Sequence, residues 1–298
     1  MDRLHLMTVF IAVAEEEGFA AGARRMGMSP PAVTRAISAL EQRLGVKLLQ
    51  RTTRHVRVTE AGQRYLDDAR RIVAEVDEAD EAAAGINATP RGHLAVTAPV
   101  LFGKLHVMPG IVDYLQRYPD MEVAALFLDR VVNLLEEGMD VAIRIGALPD
   151  SAMKAIRVGE VRRVLCAAPT YLAQHGKPAD PADLRQHTII AASHVSPSVE
   201  WKFAGPDELQ GIRLKPRLTV TSNDAAIEAA RCGLGITRLL SYQITSELST
   251  DALRIILPEY EPAPLPVHIV HRESKYGSVK VRSFIDLMAE HLRRTLAA

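Results

Sequence analysis

The chain has 298 residues, 48% of them hydrophobic and 24% charged, and a net charge of zero, which is ordinary for a globular protein of two domains or one large one. No stretch approaches the roughly 18 uninterrupted apolar residues of a membrane span. Cys166 and Cys232, 66 positions apart, are the only cysteines; they form neither a disulfide framework nor a metal motif and read as two small buried hydrophobes in a reducing compartment.

At the N-terminus, Leu6 to Ala14 is apolar, but Asp2, Arg3 and His5 precede it and Glu15, Glu16 and Glu17 follow. A signal peptide needs basic residues before the run and a small-residue cleavage site after it, so this reads as the helix of a cytoplasmic protein. The apolar positions Leu6, Val9, Phe10, Val13 and Ala14 predict a helix over Leu4 to Glu17 that Gly18 ends. It would close a three-helix core with Phe19, Ala23 and Met26.

Two short helical patterns then meet at Gly27. The second opens with Ser29 as N-cap and Pro30 at the first helical position, followed by Pro31. The Ser29 hydroxyl is expected to accept from the Ala32 amide, and Met28 to pack on Val33 as a hydrophobic staple. Val33, Ala36, Ile37, Leu40 and Leu44 make one buried face. Opposite lie Thr34, Arg35, Ser38 and Gln42, groups able to reach base edges and phosphates from a major groove. A polar outer face alone would mean little, but charge gathers here: Ala20 to Val58 holds eight basic residues against the single acid Glu41, a net of +7 in a chain of zero total. Such a patch neutralises phosphates and releases counterions.

These residues resemble the LysR-type transcriptional regulators. The resemblance rests on the first helix L-M-T-V-F-I-A-V-A-E-E-E-G-F, on A-R-R-M-G-M-S-P-P-A-V-T-R-A-I-S-A-L-E-Q-R-L-G-V-K-L-L-Q-R-T-T-R, and on V-T-E-A-G, and it runs essentially end to end. It implies that the helix after Gly27 reads DNA and that the next segment is a wing on the backbone. Ser29, Pro31, Thr34, Arg35 and Ser38 then fall at reader positions, with Pro30 among them, and Arg51 and Arg54 in the wing. Many members carry Gln where this chain has Pro30, so one base-reading side chain is missing.

After Gly45 the pattern predicts a short strand at Val46 to Leu49 and a hairpin wing at Arg54 to Val58. This completes a winged helix-turn-helix domain over residues 1–60. Thr59 caps a long helix, on which Tyr65, Ala69, Ile72, Val76, Ala79 and Ala83 follow a 4-3-4-3-4 spacing, a coiled-coil seam. Residues 59–89 carry eight acids and three bases, a net of −5, so this helix points away from DNA. The seam, Tyr65, Ala69, Ile72, Val76 and Ala79, makes 61–89 a linker and dimerisation segment whose expected partner is a second copy, the alternative being the chain's own effector domain. Two reader helices about one DNA turn apart would then recognise a dyad operator in double-stranded DNA.

Gly85 to Gly92 marks a break, and 90–298 alternates strand and helix patterns. Strands are expected at His93–Ala98, Met121–Leu128, Asp140–Ile145, Arg162–Ala168, Thr188–Ala192, Trp201–Phe203, Ile212–Leu214, Leu218–Thr221, Ile236–Leu239 and Pro266–His271. Helices are expected at Phe102–Arg117, Val131–Glu137, Ala225–Cys232 and Val279–Leu296. The order implies mostly parallel sheets in two α/β lobes with a cleft between, the periplasmic-binding-protein-like effector domain of the family. Lobe I spans about 90–162 and 268–298, and lobe II about 163–267. The resemblance adds two crossing strands near Val161 to Leu165 and Leu265 to Val270.

Open α/β sheets take ligands where strand ends meet helix starts. Those places hold Pro99, Val100 and Leu101; Arg144 and Gly146; Ser193 and His194; Thr221 and Asn223. Arg144, closing the buried run D-V-A-I-R-I-G, needs a partner from the protein or a ligand, so the expected effector is a small organic acid, aromatic or not.

Catalysis is not expected. No H-E-x-x-H, G-x-S-x-G, Walker loop or paired C-x-x-C occurs, Gly233-Leu234-Gly235 is too short for a dinucleotide, and Ser193-His194 lacks a third member. His268 and His271 fall on opposite faces of a strand, so neither metal nor cofactor is implied. The reading is a non-enzymatic, effector-responsive DNA-binding regulator, a homodimer able to pair into a homotetramer, without membrane contact. Its rivals are a two-lobed solute-binding protein or small-molecule enzyme with an N-terminal assembly domain, and a sequence-indifferent architectural protein.

Overall fold

The computed structural model describes residues 2–51, 56–84, 89–134, 136–148, 153–192, 198–205, 209–272 and 278–297. The chain forms two compact units: Met1–Gly92 with Asn133–Asp140 and Glu273–Ser283, and His93–Val132 with Val141–Arg272 and Phe284–Ala298.

In the first unit, α1 (Arg3–Glu15), α2 (Phe19–Arg25) and α3 (Pro30–Leu44) enclose Val9, Phe10, Val13, Ala23, Val33, Ile37 and Leu40. Burying each of the larger of these side chains contributes about 1.5–3 kcal/mol. The left-handed turn that ends α1 falls on Glu17 (φ +49°) rather than Gly18, which is extended. Glu17's carbonyl there accepts the Val56 amide, tying the turn to the wing.

The wing is β1 (Leu49–Arg51) paired antiparallel with β2 (Val56–Val58), Leu49 opposite Val58. Val46, expected at the start of a strand, is instead 47% exposed and precedes the ladder. The cause is Glu41, whose carboxylate accepts the Leu48 and Leu49 amides at 3.0 and 3.2 Å and so sets where pairing begins.

Thr59 caps α4 (Glu60–Ala84) as expected: its hydroxyl accepts the Gly62 amide at 2.9 Å and donates to the Lys47 carbonyl at 2.8 Å. Glu15 accepts from Arg25 at 2.7 Å and Arg70 at 2.8 Å, linking α1, α2 and α4. The upper part of the expected seam is spent within the chain. Ala69 is fully buried, and Tyr65 packs its ring 5.7 Å from Phe10. Ile72, Val76 and Ala79 stay half-buried; the Ala83 side chain lies outside the described residues.

Lobe I of the second unit holds β3 (Gly92–Ala98), α5 (Val100–Phe102), a π turn (Gly103–Val107), α6 (Met108–Arg117), β4 (Met121–Phe127), β5 (Val141–Ile145) and β6 (Met153–Val161). Lobe II holds β7 (Arg163–Ala167), α7 (Pro169–His175), β8 (Ile189–Ala192), β9 (Val199–Ala204), β10 (Leu209–Leu214), β11 (Leu218–Val220), α8 (Asn223–Arg231), β12 (Ile236–Leu240), α9 (Thr245–Ser249) and β13 (Arg254–Ile256). Finally β14 (Leu265–Arg272) joins lobe I's sheet, and α10 (Val279–Leu296) packs Phe284 edge-on against Tyr114 of α6, ring centroids 5.2 Å apart.

The sheet orders are β4-β3-β5-β14-β6 and β11-β8-β12-β7-β13, with β9 and β10 as a separate hairpin. Neither sheet is mostly parallel: β14 runs antiparallel to β5 and β6, and β7 antiparallel to β12 and β13. Strands that return from the other lobe enter against the grain of the βα units. Where a helix is expected at Val131–Glu137, the described residues form none; Val132 and Leu134 are buried while Val131 is 86% exposed. There Glu137's carboxylate accepts the Asn133 amide at 3.2 Å, and the Glu137 amide donates back to the Asn133 carbonyl at 3.0 Å. Cys166 is buried, its thiol pushed up to about 12 by burial and then by Glu247. Cys232, expected to be buried, is exposed at the end of α8, its Sγ 3.6 Å from the Glu228 carboxylate it faces.

Candidate DNA-reading face and effector cleft

Helix α3 buries Val33, Ala36, Ile37 and Leu40 and turns Ser29, Pro30, Pro31, Arg35 and Ser38 to solvent, with Thr34 half-buried beside them. The residues expected to read DNA therefore share one open face. Ser29 does not cap as expected: the Ala32 amide bonds to the Ser29 carbonyl at 2.9 Å, and the hydroxyl makes no cap bond. With prolines at the first two helical positions, the backbone closes the turn itself. Gly45, at φ +71°, ends α3 in the left-handed conformation that glycine adopts without strain.

Part of the basic excess is internal. Arg25 is held by Glu15, and Lys47 donates to Glu41 at 2.6 Å. Arg24, Arg35, Arg43 and Arg57 remain exposed. Arg51 lies on β1, where only its backbone is described, and Arg54 lies outside the described residues. Glu41 is the member sequence reasoning missed. Only 7% exposed, its carboxyl would be raised by burial, but Lys47 and the Leu49 and Leu48 amides more than offset this and hold it below the ordinary range.

In the second unit, the start of α5 meets lobe II. Asp129, after β4, accepts the Val100 amide at 3.0 Å through one oxygen; its other oxygen lies 3.5 Å from Asn223 Nδ2 at the start of α8. A carboxylate thus bridges the two lobes where an anionic ligand was expected. Below it Phe102, His106 and Tyr242 form an aromatic cluster, Tyr242 standing edge-on 5.1 Å from Phe102 and 5.5 Å from His106. Burial and then His291 lower the pKa of His106, and its Nε2 is buried without a partner among the described residues.

Of the expected effector residues, Val100 and Asn223 meet at Asp129, while Leu101 is buried and offers at most its backbone. Pro99 is half-buried as the N-cap of α5, and Thr221 is exposed just before Ser222, which caps α8 by accepting the Ala225 amide at 3.4 Å. Arg144, half-buried on β5, donates to the Val132 carbonyl, so a backbone oxygen is one of its partners. Gly146, at φ +113°, donates its amide to the Pro266 carbonyl. Ser193 and His194 lie outside the described residues. Asp129, His106 and Tyr242 had no local signal; only the meeting of the lobes reveals them.

The pattern of the bacterial regulatory helix-turn-helix proteins of the lysR family matches residues 4–63, and that of the LysR substrate binding domain matches 87–293. The chain belongs to the LysR family. This LysR-type transcriptional regulator is 34% identical over 294 residues to the transcriptional activator AaeR of Escherichia coli K12, covering 98% of this chain and 94% of that one. It is also 31% identical over 292 residues to a transcriptional repressor of Pseudomonas aeruginosa UCBPP-PA14, covering 97% and 92%. Among solved structures, CrgA of Neisseria meningitidis, a LysR-type regulator, is 28% identical with a TM-score of 0.62, covering 97% of this chain and 98% of that one. The Vibrio cholerae virulence activator AphB shares the fold at 24% identity and a TM-score of 0.62, covering 97% of this chain and all of that one. The winged reader and two-lobed domain of this LysR-family chain are thus those of full-length regulators, and among its described residues no helix is long and apolar enough to cross a membrane.

Proposed function

We propose that this regulator binds a dyad operator as a homodimer in the cytoplasm and responds to a small organic acid held between the lobes of 90–298. Residues 1–60 read DNA through Ser29, Pro30, Pro31, Thr34, Arg35 and Ser38, with Arg51 and Arg54 on the backbone. Ile72, Val76 and Ala79, left half-buried on α4, pair the copies through 61–89. An exposed apolar face supports pairing of dimers into a tetramer: Leu105, Met108 and Val112, on one face of the helix leading through α6, and Leu126 on edge strand β4 are 45%, 38%, 47% and 37% exposed. An open apolar face beside an unpaired strand edge is the surface a second copy would cover.

The observation that carries the ligand reading is Asp129. Its carboxylate already occupies the Val100 amide and faces Asn223, so this spot accepts a carboxylate. An effector carboxylate takes Asp129's place there, and its body lies toward Phe102, His106 and Tyr242. By binding one lobe arrangement better than the other it shifts the population between them.

Calorimetric titration of the full chain with benzoate, malonate and citrate, and with neutral benzamide as control, tests this. At least one acid binds and benzamide does not, and Asp129→Asn, which removes a like charge, tightens the acid about tenfold, or about 1.4 kcal/mol. Binding of benzamide alone, or weaker acid binding in Asp129→Asn, contradicts the reading.

A further inference from the structure

Away from the cleft, lobe II contains a small cavity of about 10 Å³ lined by Arg163, Leu165, Lys202, Phe203, Arg238 and Glu261, among others. Its place follows from strand register. On β12 and β7, Arg238 sits opposite Leu165, and Arg163 is two residues along from Leu165. The two arginines are therefore diagonal neighbours on one face of the sheet, the face against which β9 and β10 pack Trp201 and Phe203.

Two guanidinium groups side by side and half-buried repel, and each has lost part of its hydration. Neither has a carboxylate partner among the described residues. Arg163 makes no side-chain hydrogen bond there, and Arg238 reaches only the Lys202 carbonyl at 3.5 Å while its guanidinium lies 5.1 Å from the Trp201 ring. Lys202 meets the cavity through its backbone carbonyl; its exposed side chain lies on the face of β9 opposite Trp201 and Phe203. The one acid, Glu261, is committed elsewhere, its two oxygens 3.2 and 3.1 Å from Arg162 Nη1. Two half-buried cations beside one engaged carboxylate make an arrangement that lacks its counter-ion.

We propose that lobe II binds a small anion between Arg163 and Arg238. The space takes about one water-sized group, so the ligand is a halide or the terminal oxygen of a carboxylate or phosphate. The paired guanidinium forks suit an oxyanion, and Phe203, Leu165 and Leu257 wall the remainder with apolar surface. Burial lowers the pKa of Arg163, and burial followed by Arg163 lowers that of Arg238 to about 9, the penalty that a bound anion removes.

Trp201 is the sole tryptophan in the chain, and its stacking on Arg238 makes its fluorescence a local reporter. The experiment follows Trp201 emission of the full chain, free of DNA, during separate titrations with chloride, acetate and inorganic phosphate at constant ionic strength. A saturable change is expected with at least one of them, and the responding anion identifies the source. Arg163→Met should raise its Kd at least tenfold, and Arg163→Lys, which keeps charge but not the fork, by less. With anion at ten times Kd, the wild-type melting temperature rises by about 3–5 °C and that of Arg163→Met does not. No saturable change with any of the three anions, or equal Kd values in wild type and Arg163→Met, would overturn the proposal.

Discussion

Replacing Gly62 with alanine is expected to unfold the winged domain while leaving the effector domain intact. A Cβ on Gly62 would stand 2.1 Å from the Leu48 carbonyl oxygen and 2.8 Å from Val58 Cγ1. That carbonyl cannot retreat, because it accepts the Thr59 amide at 2.9 Å, and Thr59 in turn caps α4 through the Gly62 amide. Relief requires parting α4 from the wing and breaking the cap, a loss of about 3 kcal/mol or more. A domain of about 60 residues is marginal to begin with. DNA binding is therefore lost, while Trp201 emission, reporting on lobe II, stays native. A variant that melts and binds DNA as the wild type does would show that α4 and the wing are not locked at this point.

Glu41→Ala is the second large effect. It strands the Leu48 and Leu49 amides, in residues 1% and 6% exposed, and removes the partner of Lys47. Two buried donors without acceptors cost about 3 kcal/mol together. Hydrogen exchange over 45–58 should accelerate at least tenfold. Glu41→Gln keeps one acceptor oxygen and costs less. Because the folded Glu41 carboxyl titrates below its unfolded value, its contribution is complete above the ordinary carboxylate range and is lost as pH falls through the folded pKa. The stability gap between wild type and Glu41→Gln should thus be widest at neutral pH and narrow in acid. A gap independent of pH would contradict the assigned role.

Elements whose stability is local were legible in the residues. The α3 stripe, the Thr59 cap and the span Val279–Leu296 each follow from periodicity or capping, and each is found. Where partners lie far along the chain, local pattern failed. Strand β6 buries only Val158 and Val161 and has no apolar run; it exists because β14 pairs along its length. Val131–Glu137 has helical spacing, yet the described residues bury Val132 and Leu134 without forming a helix. At the sites the division is the same. Arg35 and Ser38 could be placed by helical phase, whereas Glu41 looked like a stray acid and Asp129 like an ordinary loop residue until folding set them against backbone amides.

The proposed dimer places two copies of α3 in successive major grooves on one face of DNA. Hydroxyl-radical footprinting of the full chain on its own upstream intergenic DNA tests this most directly. The prediction is two protected patches on one face of the duplex, about 34 Å apart centre to centre, both weakened about 10- to 100-fold in affinity by Arg35→Ala. A single patch, uniform protection along the fragment, or a footprint unchanged in Arg35→Ala would contradict it.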